Sequence, residues 1–306
     1  MSYVELTQHA RDIKDAAVDL EGREQRLYNA GLSGGDTPAP PVDYDKIEQK
    51  YAFIEPLFEP YSRLPDPATY SPMSDELRLA MESLSTGQYP TDPINKRPIR
   101  SNSKLSSIDT AGDYLASWSG SAAMSFKENF IDTFGSVTAN QFVLLSTMKG
   151  ALDAHRQLWQ AARKDIDKIA HTTLDALDNA GNTGKNEWSF VFSVISAVVA
   201  LGSIPLTGGA STGLAAVGAG AAAGSAGGAG LTASGDSAED ITDSMKQAVG
   251  KLTRHIQEKE TVISEALQKT TGTVSGKREL FIAARPALAN LLGGELTADG
   301  GMGTSS

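Results

Sequence analysis

Between Ala123 and Leu177, apolar side chains recur at alternating steps of three and four: Ala123, Phe126, Phe130, Phe134, Val137, Leu144, Met148, Leu152, Trp159, Ala162, Ile166, Ile169 and Leu177. Only Gln141, His155 and Thr173 interrupt the series. The spacing is that of an α-helix, and a stripe so long and narrow is the seam of a helix packed lengthwise on other helices. Gly181-Asn182-Thr183-Gly184 is expected to end it. A helix of this length constrains everything around it. The chain is expected to be all-α: a long antiparallel helical hairpin or bundle, with a Gly/Ala-rich hydrophobic hairpin or loop.

The flanking sequence agrees with that class. Leu6, Ala10, Ile13, Ala17, Leu20 and Leu27 predict a helix over residues 3–28, closed by Gly31 and the Ser33-Gly34-Gly35 cluster. A second helix is expected from Asp43 to about Leu57. Prolines 60, 65, 67, 72, 90, 93 and 98 then predict a strap over the surface with one short helix, Ser74 to Ser85. Carboxylates at Asp236, Glu239 and Asp240 suit the start of an amphipathic helix that carries Ile241, Met245, Ala248, Leu252, Ile256, Ile263 and Leu267 on one face. No segment shows the alternation of a half-buried strand. The expected division is 1–102 (N-terminal helices and strap), 103–180 (hairpin), 181–235 (uncharged segment), 236–292 (C-terminal helix) and 293–306 (disordered tail).

Charge and composition exclude several functions. The net charge is −10, and an acidic surface repels phosphate backbones, so no nucleic-acid partner is expected. The same charge disfavours electrostatic docking on anionic lipid. There is no cysteine, which rules out disulfides, thiolate zinc sites and cysteine nucleophiles. Met1-Ser2-Tyr3-Val4-Glu5-Leu6 begins without an apolar core, and no cleavable secretory signal is predicted.

Where the stripe begins, Trp118, Gly120, Ala122, Ala123 and Phe126 spell W-x-G-x-A-A-x-x-F. Glycine permits the backbone angle that reverses a chain, small alanines let helix ends approach, and the two aromatics supply apolar area across the seam. Over roughly residues 103–180 this resembles the WXG family of type VII (ESX-type) secretion substrates of Gram-positive bacteria. In that family the motif joins two antiparallel helices and helps to form the surface read during export.

The resemblance implies a non-enzymatic protein, secreted or held at the cell surface, that works through helix–helix contacts. Its partners would be itself or a small WXG-family helical protein, together with the secretion machinery, and Trp118, Gly120, Ala122, Ala123 and Phe126 would form the recognition surface. Two departures stand out: the helix ahead of Trp118 is short, and no Tyr-x-x-x-Asp/Glu export tag follows the hairpin. Tyr44…Glu48 and Tyr51…Glu55 have that spacing but precede the turn, where they read as helix-face pairs.

Residues 188–235 contain no charge. Trp188 to Ile204 is long enough for a marginal membrane span, Leu214 to Leu231 for a returning pass, and Gly220, Gly224 and Gly228 would form a ridge for close helix packing. Candidate membrane contacts are Trp188, Phe190, Phe192, Ile195, Val198 and Leu201 with those glycines. The alternative function is accordingly a membrane-inserting protein, resembling the α-helical pore-forming toxins in architecture only. The same segment also reads as a buried hairpin or a Gly/Ala loop within a soluble protein.

Catalytic patterns are not complete. Gly31-Leu32-Ser33-Gly34-Gly35 matches G-x-S-x-G but follows a helix instead of a strand. His9, His155, His171 and His255 are dispersed, so no metal or cofactor is expected. Asp165 and Asp167 are expected to be solvated.

Overall fold

The computed structural model describes residues 3–32, 38–115, 117–183, 188–192, 199–207, 213–219, 231–235, 237–283 and 304–305. Its class is all-α with a few short strands. The helices are α1 (Tyr3–Leu32), α2 (Tyr44–Tyr51), α3 (Ile54–Ser62), α4 (Tyr70–Leu84), α5 (Ser103–Tyr114), α6 (Ser121–Phe126), α7 (Asp132–Thr183) and α8 (Ala238–Gly276). A π-helical turn, Lys127–Ile131, joins α6 to α7 without a break. Two compact units emerge, each from three segments: Met1–Pro67, Gln157–Ala197 and Ala222–Glu260, and Ala68–Arg156, Val198–Ala221 and Thr261–Ser306.

In the first unit α1 packs on α2 and α3. Leu6, Ala10, Ile13, Ala17 and Leu20 are buried as expected, whereas Leu27 is 75% exposed. The single helix expected over 43–57 is broken at Ala52-Phe53. Pro56 explains the break, since it has no N–H for the Ala52 carbonyl and its ring clashes there. Tyr61 donates to the Val249 carbonyl and bonds Thr253, tying α3 to α8. Lys50 bridges Glu21 on α1 and Glu239 on α8 at 2.8 Å each, and the Tyr51 hydroxyl donates to the same Glu21 carboxylate.

Those contacts shift the ionisation of the groups. Burial pushes the Glu21 carboxyl up, but hydrogen bonds from Lys50 and Tyr51 and the Lys50 charge together hold it below its ordinary 4.5. Burial pulls Lys50 down, yet its bonds to Glu21 and Glu239 outweigh that and hold it above 10.5. Burial, then the bond to Glu21, drives the Tyr51 phenol far up.

In the second unit the proline-rich strap is pinned. A bridge pairs Thr91 with Pro98, and buried Asp92 accepts hydrogen bonds from Ser146 on α7 and from the Ile94 amide. Met81, Ile99 and Phe142 form a core cluster with Tyr89 and Leu145 against it. A second cluster joins Val143, Leu206, Leu214 and Phe281.

The uncharged segment departs from expectation. Instead of apolar helices it forms antiparallel ladders, in which β2 (Trp188–Phe192) pairs with β5 (Leu231–Gly235) and β3 (Val199–Pro205) with β4 (Gly213–Ala219). Among the described residues no helix is long and apolar enough to cross a membrane. The β3–β4 ladder is fastened to α7 by Asn140, which is 1% exposed. The Asn140 amide donates to the Thr207 and Leu280 carbonyls, and its oxygen accepts from the Thr207 amide and hydroxyl. A buried side chain so completely paired is expensive to remove, because its partners are left without bonds.

Two stability outcomes follow from these contacts. Asn140→Leu is expected to lower unfolding free energy by about 2–3 kcal/mol in urea titrations at neutral pH. Because the folded-state pKa of Glu21 is depressed, its stabilisation is complete above 4.5 and is lost as pH falls through the folded value. The stability gap between the parent and Glu21→Gln, read from urea midpoints, should therefore narrow as pH drops below that range.

Candidate functional site

The Trp-x-Gly corner lies at a helix-to-helix junction in the second unit. Asn102 caps α5 by accepting from the Lys104 amide. After α5 the Trp118 amide closes on the Leu115 carbonyl at 3.0 Å. Gly120 has φ 107 and ψ 166, a conformation that only glycine adopts without strain, and its carbonyl accepts the Met124 amide as α6 begins. The chain folds back there: a Cβ placed on Gly112 of α5 would sit 3.2 Å from Ile131 Cγ2. Trp118 and Ser119 are extended and form a two-residue strand, β1, paired with β6 (Thr304–Ser305).

Of the expected recognition residues, Ala123 is buried, Trp118 and Phe126 are half-buried, and Gly120 is exposed. Ala122 sits in the first turn of α6. Trp118 and Phe126 rings lie 5.8 Å apart, Phe126 and Phe130 5.2 Å, and Phe130 and Phe134 6.0 Å. An aromatic ladder thus runs from the corner along the helix. Beside it, Met124 is 60% exposed.

The apolar stripe read from sequence divides in two. From Trp159 onward it is core: Trp159, Ala162, Ile166, Ile169 and Leu177 are buried, and Leu158, outside the stripe, is buried with them. Upstream, Ala123 and Val137 of the stripe are buried, but most of the buried face belongs to other residues, namely Ala139, Phe142, Val143, Ser146, Thr147, Ala151 and Ala154, while Met148 is 44% exposed. Eighteen positions separate Phe130 from Met148, five turns at about 3.6 residues each, so the two share a side of the helix. Ser146, two positions from Met148, faces the opposite way. The side shared by Phe130 and Met148 is covered between them, where Val137 is buried and Gln141 bonds the Phe281 carbonyl. The half-exposed apolar residues therefore form a patch at Phe126, Phe130 and Phe134 beside the corner and a separate one at Met148.

The other candidates fall as follows. Phe192 is buried opposite Leu231 in the ladder. Trp188 pairs with Gly235, Phe190 with Ala233 and Leu201 with Val217. Ile195, Val198, Gly220, Gly224 and Gly228 lie outside the described residues. Tyr51 is buried, and Glu55 meets Arg11 and Lys14 at 3.7 and 3.5 Å. Asp165 is buried, contrary to the expectation of a solvated carboxylate.

Sequence reading missed one grouping. His9 on α1 meets His171 on α7 edge to face, with ring centroids 4.6 Å apart, and Asp167 stands one turn before His171. The signal was present as Asp167…His171 at helical spacing, but its third member is far away in the chain.

Comparison with known protein families, curated proteins and solved structures finds no match for this chain.

Replacing Gly120 with alanine is expected to cost about 1–3 kcal/mol of unfolding free energy because the backbone there is confined to glycine's territory. Gly135, with open space where a Cβ would stand, serves as the contrast. Gly135→Ala should gain about 0.5–1 kcal/mol in the same urea titration.

Proposed function

We propose that this protein is a non-enzymatic, WXG-like component of type VII secretion that works by docking a helix of a small WXG-family partner, or of a second copy, along the aromatic ladder that begins at the Trp118-Gly120 corner. The observation that carries this reading is the row of half-buried aromatic rings Trp118, Phe126, Phe130 and Phe134 that starts at the corner, with Met124 exposed beside it. Helix pairing requires such a face: aromatic anchors in a row, flanked by a polymorphic side chain such as Met124 that adapts to its partner. The W-x-G-x-A-A-x-x-F resemblance supplies the family, and the acidic surface supports a protein partner over nucleic acid.

The test uses the full chain in a Gram-positive host with a type VII system. Met124→Glu combined with Phe130→Glu introduces charge on this patch, and a circular dichroism spectrum like the parent's checks that the helix is intact. Export into the medium, and co-purification of the helical partner, should fall by at least about tenfold, the loss of an interfacial anchor. Export that persists after deletion of the secretion ATPase, or charge variants exported like the parent, would overturn the reading.

A further inference from the structure

We propose that His9, Asp167 and His171 form a binding site for a divalent transition-metal ion of the zinc type, linking α1 to α7 within the first unit. One ligand atom from each of the three residues lies within 4.8 Å of the other two. His171 Nδ1 stands 3.3 Å from Asp167 Oδ1 and 2.9 Å from the Asp167 backbone carbonyl. An edge-to-face histidine pair would account for the ring contact, but it leaves His9 Nδ1 buried with no hydrogen-bond partner. A buried imidazole nitrogen without a partner is costly, and an ion held between the two rings supplies what the protein does not.

The donor set selects the ion. Two imidazoles and one carboxylate suit zinc, cobalt, nickel or copper, whereas calcium and magnesium prefer all-oxygen cages. Tetrahedral ligands on zinc sit about 3.3 Å apart when the bonds are about 2.0 Å. The present spacing is wider than that, and the side chains that would have to turn inward to close it, His171 and Asp167, are 56% and 37% exposed. The same exposure gives the ion a path from solvent and leaves its fourth position to water. A bound ion would fasten the N-terminal helix to the long helix.

This inference is independent of the docking proposal. Isothermal titration of the purified full-length chain, stripped with chelator, should show one zinc ion bound per chain. Cobalt should bind at the same stoichiometry with a visible absorption band. Asp167→Asn, His171→Ala and His9→Ala should each weaken zinc binding by at least about tenfold, while His255→Ala binds like the parent. Asp167→Asn and His171→Ala alter side chains at the surface and keep the test valid should His9→Ala unfold. A folded chain that takes up neither ion, or Asp167→Asn and His171→Ala proteins that bind zinc like the parent, would overturn the site.

Discussion

A helix buries only the part of its circumference that neighbours cover, and α7 meets that constraint differently along its length. In the first unit, large side chains such as Leu158, Ile166 and Ile169 fill the covered face. In the second, the covered face mixes Phe142 and Val143 with small and polar residues: Ser146, Thr147 and Gly150 lie where leucines would be expected. Thr147 and Thr173 return their hydroxyl protons to the carbonyls four residues back, Val143 and Ile169, so each packs as a valine would with no polar atom left over. Buried threonine is tolerable on a seam because the helix itself satisfies it.

The same substitution explains what could and could not be read in advance. Hydrophobic period identifies the long helix and its end near Thr183, and it places the core of α8 from Ile241 to Ile263 correctly. It misses the phase of the seam between Ala139 and Ala154, because a pattern that scores threonine and serine as polar follows the greasier Leu144-Met148-Leu152 face instead. Leu267 is half exposed for a related reason, with Ala266 taking the covered position. Apolar spacing shows that a face exists, and the neighbours decide which face is covered.

Local chemistry made the corner legible. Tryptophan, glycine and two alanines specify a reversal within a few residues, and Gly120 adopts the backbone geometry that only glycine provides. The histidine cluster had no such local signature, since α1 and α7 meet only through tertiary packing. The strands were hidden for other reasons: the bulky run of β2 also suits an apolar span, and the alanine, glycine and serine of β4 and β5 have little preference for extended structure.

That last point bears on how β3 and β4 keep their alignment. Three of the seven opposed pairs are nearly interchangeable, with Ala200 against Gly218, Gly202 against Ala216 and Ser203 against Ala215. Sliding one strand by a position would change little among such uniform neighbours. The information sits in mid-ladder, where Leu201 opposes Val217, and at one end, where Ile204 opposes Leu214 and where Leu206 and Leu214 enter the cluster with Val143 and Phe281. A few bulky pairs thus act as index marks for a stretch whose small residues carry no reading frame of their own.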